Sequence, residues 1–105
     1  MAYNLIITER ADELFEVLVQ HLIYNYNSQQ AATHLVNCVS KIYDRIQENP
    51  FQFPICKDEY LSSRKYREAI IPDMNYIIIY RVDTNIVYIV GIFHHLEDYY
   101  PKLKE

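Results

Sequence analysis

Two apolar stripes at helical spacing dominate the first half of the chain. Between Ala11 and Tyr26, apolar side chains recur at alternating steps of three and one, which is the spacing of one helix face. Thr8 stands before this stripe as an N-cap, and acidic residues follow it in the first turn. A second stripe begins after Ser28 and stops before Pro50. The pattern predicts two antiparallel helices joined by a tight turn.

Four apolar runs have the composition of β-strands. They span residues 3–7, 66–71, 76–82 and 86–93. The last three are separated only by short polar connections, which predicts an antiparallel meander. A strand, a helical hairpin and then three strands indicate an α+β domain with the helices packed on one face of the sheet.

The connection between the helices and the meander is predicted to be a loop. Two prolines and a serine pair in residues 50–65 discourage regular structure. Phe51, Phe53 and Ile55 are expected to turn back onto the core. The last two strands are apolar on both faces, so the face away from the helices needs a cover. The C-terminal tail or another protein is expected to supply it.

Composition narrows the class of protein. With 105 residues, the chain is interpreted as one domain spanning residues 1–105. No apolar run is long enough to cross a bilayer, and no signal peptide is seen, so a cytoplasmic protein without membrane contact is expected. The net charge of −4 argues against broad, charge-driven binding of nucleic acid. Because Gly91 is the only glycine, the chain has no glycine-rich phosphate loop, and no cofactor is indicated.

The two cysteines, Cys38 and Cys56, are interpreted as unpaired thiols. Neither belongs to a CxxC motif, so no metal site is predicted. The eleven tyrosines have two interpretations that stay open. They suit a protein interface, and they also pack well on strands.

The chain as a whole resembles the RelE/ParE superfamily of toxins from type II toxin–antitoxin modules. The resemblance rests on "YNLIITERADELFEVLVQHL" and on "YREAIIPDMNYIIIYRVDTNIVYIVGIFHHLEDY", and it covers about residues 3–100. It implies a small toxin held inactive by a cognate antitoxin laid over an apolar face. A homodimer, or a heterotetramer with the antitoxin, is compatible with it. RelE-like members cleave messenger RNA on the ribosome, whereas ParE-like members inhibit DNA gyrase.

The resemblance to cleaving members is incomplete at one position. RelE-like enzymes place an arginine just after the "NY" turn, and Ile77 stands there in this chain. This departure and the acidic net charge favour the ParE-like branch, which acts by binding. A RelE-like ribosome-dependent endoribonuclease is the alternative, and an inactive homologue that only binds antitoxin is a third interpretation.

Candidate site residues follow from the two activities. RNA cleavage needs an acid, a base and cations near the phosphate. The catalytic candidates are His94 and His95 with Arg67 and Arg81. Adjacent residues on a strand point to opposite faces, so only one of the two histidines is expected to face a site. Candidates for contact with nucleic acid or a partner protein are Arg64, Lys65, Tyr99 and Tyr100.

Overall fold

A computed structural model describes residues 3–71 and 74–94. Helices and a mixed sheet make up this part of the chain, as the α+β prediction required. The helices are α1 (Glu9–Tyr24), α2 (Gln29–Glu48) and the short α3 (Glu59–Ser63), and the strands are β1 (Asn4–Ile7), β2 (Arg67–Ile71), β3 (Tyr76–Asp83) and β4 (Ile86–His94). No helix of these two ranges is long and apolar enough to span a membrane.

Both predicted helix starts are confirmed. The Thr8 hydroxyl accepts a hydrogen bond from the Ala11 amide at 3.2 Å, and the Ser28 hydroxyl accepts one from the Ala31 amide at 3.1 Å. Each hydroxyl satisfies an amide that has no partner within its helix. The prediction was wrong at Tyr26, which lies in the turn beyond α1 and is 68% exposed. The chain leaves helical geometry after Asn25, so the side chain at this position no longer follows the apolar stripe.

The sheet contains β1, β4, β3 and β2 in that spatial order. The predicted meander is confirmed, because β3 pairs antiparallel with both β2 and β4. The helical hairpin carries the chain from β1 to the far side of the sheet, and β1 therefore pairs parallel with β4. The register between β3 and β4 shifts between Ile79 and Tyr80, so Val90 is the extra residue of a β-bulge.

The helical hairpin covers one face of the sheet. Ile78 and Tyr80 of β3 lie in a large cluster with Leu35, Val39 and Ile46 of α2. Tyr80 is fully buried, and its hydroxyl donates a hydrogen bond to the Pro50 carbonyl oxygen. The buried tyrosine therefore also attaches the end of the hairpin to the sheet.

The opposite face of the sheet is covered by the chain's own connecting segment. Ile77 and Ile79 of β3 and Phe93 of β4 form a second cluster with Cys56 and Leu61. Leu61 belongs to α3, which Asp58 caps by accepting a hydrogen bond from the Leu61 amide at 3.1 Å. The expectation that the tail or another protein supplies this cover was wrong for these positions.

The connecting segment is also more regular than predicted. Pro50 starts a single 3₁₀ turn. Proline suits this first position because its fixed φ is compatible with the turn and its missing amide hydrogen would have no partner there. Phe53 packs against the large cluster as expected. Phe51 and Ile55 do not, since they are 53% and 40% exposed. Ile55 instead forms an isolated antiparallel bridge with Arg67, which extends the sheet edge.

Gly91 provides a test of the packing around Phe93 in the second cluster. A Cβ atom at this position would lie 2.5 Å from Cε2 and 2.7 Å from Cζ of the Phe93 ring. Phe93 is buried, so its ring has little room to move. We expect Gly91→Ala to lower the free energy of unfolding by about 1–3 kcal/mol, measured by urea denaturation.

A double-mutant cycle controls for this explanation. Phe93→Leu removes the ring atoms that the new methyl group would strike. In the Phe93→Leu background, Gly91→Ala should cost less by about 0.5–3 kcal/mol. An equal cost in both backgrounds would show that the clash is not the cause.

Candidate functional site

The Arg67 side chain contacts the connecting segment between α2 and β2. Its Nη1 donates a hydrogen bond to the Phe53 carbonyl oxygen at 2.7 Å, and its guanidinium lies 5.0 Å from the centre of the Phe51 ring. These two contacts join β2 to the segment after α2. The side chain is therefore positioned as a packing and hydrogen-bonding group.

Arg81 lies on the other face of the sheet from Arg67. Arg67 stands opposite Tyr80 in the register, and Arg81 is the next residue along β3. Because successive side chains of a strand alternate, the two guanidinium groups leave the sheet in opposite directions. That of Arg81 lies 4.2 Å from the centre of the Tyr88 ring on the neighbouring strand.

His94 ends β4 at the far end of the sheet from Arg81. It pairs with Tyr76, and the two rings meet edge to face with their centres 5.7 Å apart. Arg81 is five residues further along β3, which corresponds to about 17 Å. His95, Tyr99 and Tyr100 lie outside the described residues, so their roles stay predictions.

The catalytic candidates within the described part of the chain do not converge. Arg67 and His94 are separated by four residue positions of β3, about 13 Å, and Arg81 occupies the opposite face. Cleavage of RNA needs charge stabilisation and proton transfer at one phosphate. The arrangement of these three side chains does not supply both at one point.

Ile77, which stands where the cleaving members carry an arginine, is fully buried. It packs with Cys56 and Leu61 beneath α3. The position therefore faces the second core cluster, and the Ile77 side chain does not reach solvent.

The small basic patch is divided by the fold. Arg64 and Lys65 are exposed just after α3, and Lys65 has a positive φ of 60°. The Arg64 guanidinium lies 4.7 Å from the centre of the Tyr60 ring. Arg67 lies two residues further on but is turned toward Phe53. Arg64 and Lys65 remain available to a partner, and their predicted contact role stays a prediction.

No sequence motif indicated that Glu68 and Cys56 lie close together beneath α3. Glu68 is only 5% exposed, and it lies close to the buried Cys56 thiol. Burial raises the pKa of Cys56 to about 12, and the negative charges of Glu68 and Asp58 add to the rise. Alternation along β2 places Glu68 on the same side as Ile70, but Ile70 is 46% exposed, so the alternation does not indicate that Glu68 is buried. The thiol is therefore kept protonated and is a core group.

An apolar groove lies between the two long helices. It has a volume of about 320 Å³ and is lined by Leu5, Phe15, Val36, Val39, Ser40, Tyr43 and Asp44. Burial, and then the charge of Asp12, raise the pKa of Tyr43 to about 12. Val36 is 42% exposed at the rim. The groove presents apolar surface with hydroxyl and carboxylate groups at its edge, which suits an amphipathic peptide segment.

Comparisons with known proteins agree with the fold. The family model described as "ParE toxin of type II toxin-antitoxin system, parDE" matches residues 5–99. A solved structure, titled "Chromosomal ParDE TA system from P. aeruginosa", is similar with a TM-score of 0.73 and 14% identity. The likeness covers 89% of this chain and 96% of that chain, and at this identity it establishes the fold alone. A search of the curated proteins found no match. Since the family model covers most of the sequence, the chain belongs to the ParE toxin family of type II toxin–antitoxin systems.

Proposed function

We propose that this toxin acts in the cytoplasm by binding its target, DNA gyrase, and not by cleaving RNA. The observation that carries the proposal is that Ile77, at the position where cleaving members carry an arginine, is fully buried. The separation of Arg67, Arg81 and His94 supports it, because no described site gathers an acid, a base and a phosphate-binding cation. Gyrase as the target rests on membership of the ParE family.

Neutralisation by a cognate antitoxin is the second part of the proposal. Within the described residues α3 covers the second face of the sheet, and the groove between α1 and α2 offers an apolar surface to the antitoxin. Its lining from Phe15 to Tyr43 fits the apolar face of an extended or helical segment. Arg64 and Lys65 offer positive charge to acidic residues elsewhere on the same partner.

The test is a direct comparison of two reactions with the purified, antitoxin-free chain. We expect it to block supercoiling of relaxed plasmid by gyrase. It should leave messenger RNA uncut when added to translating ribosomes. Pre-mixing with the antitoxin should restore supercoiling, and His94→Ala should inhibit gyrase as the unchanged toxin does.

Two outcomes would contradict the proposal. Codon-spaced cuts in messenger RNA that disappear in a His94→Ala/His95→Ala variant would favour the endoribonuclease. A folded chain that binds antitoxin but affects neither reaction would be the inactive homologue.

A further inference from the structure

Strand β1 forms an edge of the sheet that none of the described segments covers. It stands at one end of the strand order and pairs with β4 on its inner side. Its four residues, Asn4–Ile7, include no charged side chain and no proline, and its register with β4 has no shift. Proteins usually protect an edge strand by charge, proline, a bulge or a covering segment, because its free backbone groups can pair with another strand.

The opposite edge of the sheet is protected by such a segment. The Cys56 amide donates a hydrogen bond to the Tyr66 carbonyl oxygen at 2.9 Å, and the Glu68 amide donates one to the Pro54 carbonyl oxygen at 3.0 Å. The connecting segment therefore occupies the start of the β2 edge. Among the described residues, no segment does the same for β1.

The free backbone groups of β1 belong to Leu5 and Ile7. The Thr8 amide donates a hydrogen bond to the Ile89 carbonyl oxygen at 3.1 Å, so the even-numbered residues direct their backbone groups toward β4. Because direction alternates along a strand, the N–H and C=O groups of Leu5 and Ile7 point to the outer edge. No hydrogen bond to these four groups comes from residues 3–71 and 74–94.

The open stretch is closed at both ends. At its start, the Tyr3 amide donates a hydrogen bond to the Gln47 carbonyl oxygen at 2.9 Å, and Gln47 Nε2 donates one to the Tyr3 carbonyl oxygen at 2.9 Å. At its end, Thr8 turns the chain into α1. The edge therefore offers a partner strand two donors and two acceptors, those of Leu5 and Ile7.

We propose that a second copy of this chain pairs with this edge, with the two β1 strands antiparallel about a two-fold axis at Ile6. Leu5 then stands opposite Ile7 of the other copy, and the two residues exchange two hydrogen bonds. The axis repeats this pair, so four hydrogen bonds satisfy all the outward groups of both strands. A shift that places Leu5 or Ile7 opposite itself would form only two of them.

The side chains of β1 suit this self-pairing. Ile6 and Ile7 are 42% and 44% exposed. Ile6 meets its own copy at the axis, in the type of pair in which side chains approach most closely. Opposed residues share one face of the sheet, so Ile7 lies beside Leu5 of the other copy, at the groove that Leu5 lines with Phe15 and Val39.

Charge does not oppose the contact at the axis. Glu9 is the first charged residue after β1, and in this register it stands near Tyr3 of the other copy, not near its own like. Arg81 is on the same face as Ile6 but two strands away, about 10 Å. Its two copies are therefore about 20 Å apart, beyond the range of unscreened repulsion at physiological salt.

The pairing predicts a mass that depends on protein concentration. The contact is small, so it belongs to the weak class of interfaces. The full chain is studied by sedimentation equilibrium in a reductant, so that Cys38 forms no disulfide between copies. We expect the mass to rise from 12.6 kDa toward twice that value between roughly 10 µM and 1 mM.

Hydrogen exchange of single amides reports which edge is covered. Over the same concentration range, exchange of the Leu5 and Ile7 amide hydrogens with solvent should slow by at least about tenfold. The Ile6 amide points toward β4 and is the internal control. Its exchange should not depend on concentration.

Charge at residue 6 tests the axis itself. Ile6→Lys and Ile6→Glu each place two like charges together, so either variant alone should weaken association by at least about tenfold. An equal mixture of the two variants should associate again, because unlike charges then meet. Ile70→Lys is the matched control, since Ile70 is 46% exposed on β2 at the other edge, and it should associate as the unchanged protein does. Circular dichroism shows that each variant is folded.

A monomeric mass at 1 mM would overturn the proposal. So would slow exchange at Leu5 and Ile7 that does not depend on concentration, because another segment of the same chain would then cover the edge. Association that survives Ile6→Lys, or that the mixture of variants does not restore, would exclude an axis at Ile6. None of these outcomes bears on gyrase inhibition, which is measured separately.

Discussion

Ile77→Arg is expected to unfold the protein and not to create a nuclease. The Ile77 side chain is fully buried between β3 and α3, among Cys56, Leu61 and Phe93. An arginine stays charged at any accessible pH, so the variant would bury an unpaired cation. Glu68 lies on the same face, but it is already buried and in contact with other groups. We expect a loss of more than about 4 kcal/mol in the free energy of unfolding, which is a large part of the roughly 5–15 kcal/mol of a typical domain.

The measurement is urea denaturation followed by far-UV circular dichroism. Ile77→Met is the matched control, because it keeps the volume and polarity of the site and should cost less than about 1.5 kcal/mol. A folded Ile77→Arg variant with near-normal stability would contradict the burial of this position. If that variant also cut RNA, the endoribonuclease interpretation would regain its support.

The helical hairpin and the meander could be predicted because their signals are local. A capping hydroxyl such as Thr8 and an apolar stripe are determined by residues within one or two turns. The same holds for the turn between β3 and β4, where Asp83 pairs with Ile86 and Thr84 adopts a positive φ of 59°. These features depend little on the rest of the chain.

The cover of the second sheet face could not be predicted in this way. α3 has only five residues, too few for a periodic pattern, and it forms because Asp58 caps it and Leu61 packs beneath β3. Both contacts depend on where the segment returns to the sheet.

The arrangement of the candidate site could not be predicted either, since Arg67 and Arg81 end on opposite faces only because of the register.

A loss of stability at alkaline pH is the second large expected effect. The pKa of Cys56 is raised from 9.0 to about 12, and that of Tyr43 from 10.0 to about 12. Burial is the largest cause of both rises. Burial also raises the pKa of Tyr80. In the unfolded chain these groups lose their protons at their ordinary values, while the folded protein still holds them. The unfolded state therefore binds fewer protons above about pH 9, and the free energy of unfolding falls as the pH rises.

The three groups share one sign, and the pH window separates the cysteine from the tyrosines. Stability from Cys56 is complete below pH 9 and declines from there toward pH 12, whereas the tyrosines begin to contribute only near pH 10. Each fully buried group lowers stability by at most about 1.4 kcal/mol per pH unit, and the half-buried Tyr43 by less. Urea denaturation at pH 8, 9, 10 and 11 measures the slope. Cys56→Ala should flatten the curve between about pH 9 and 10 and leave the decline above it, because the tyrosines remain. An unchanged slope in that interval would mean that the Cys56 thiol is not held protonated by the fold.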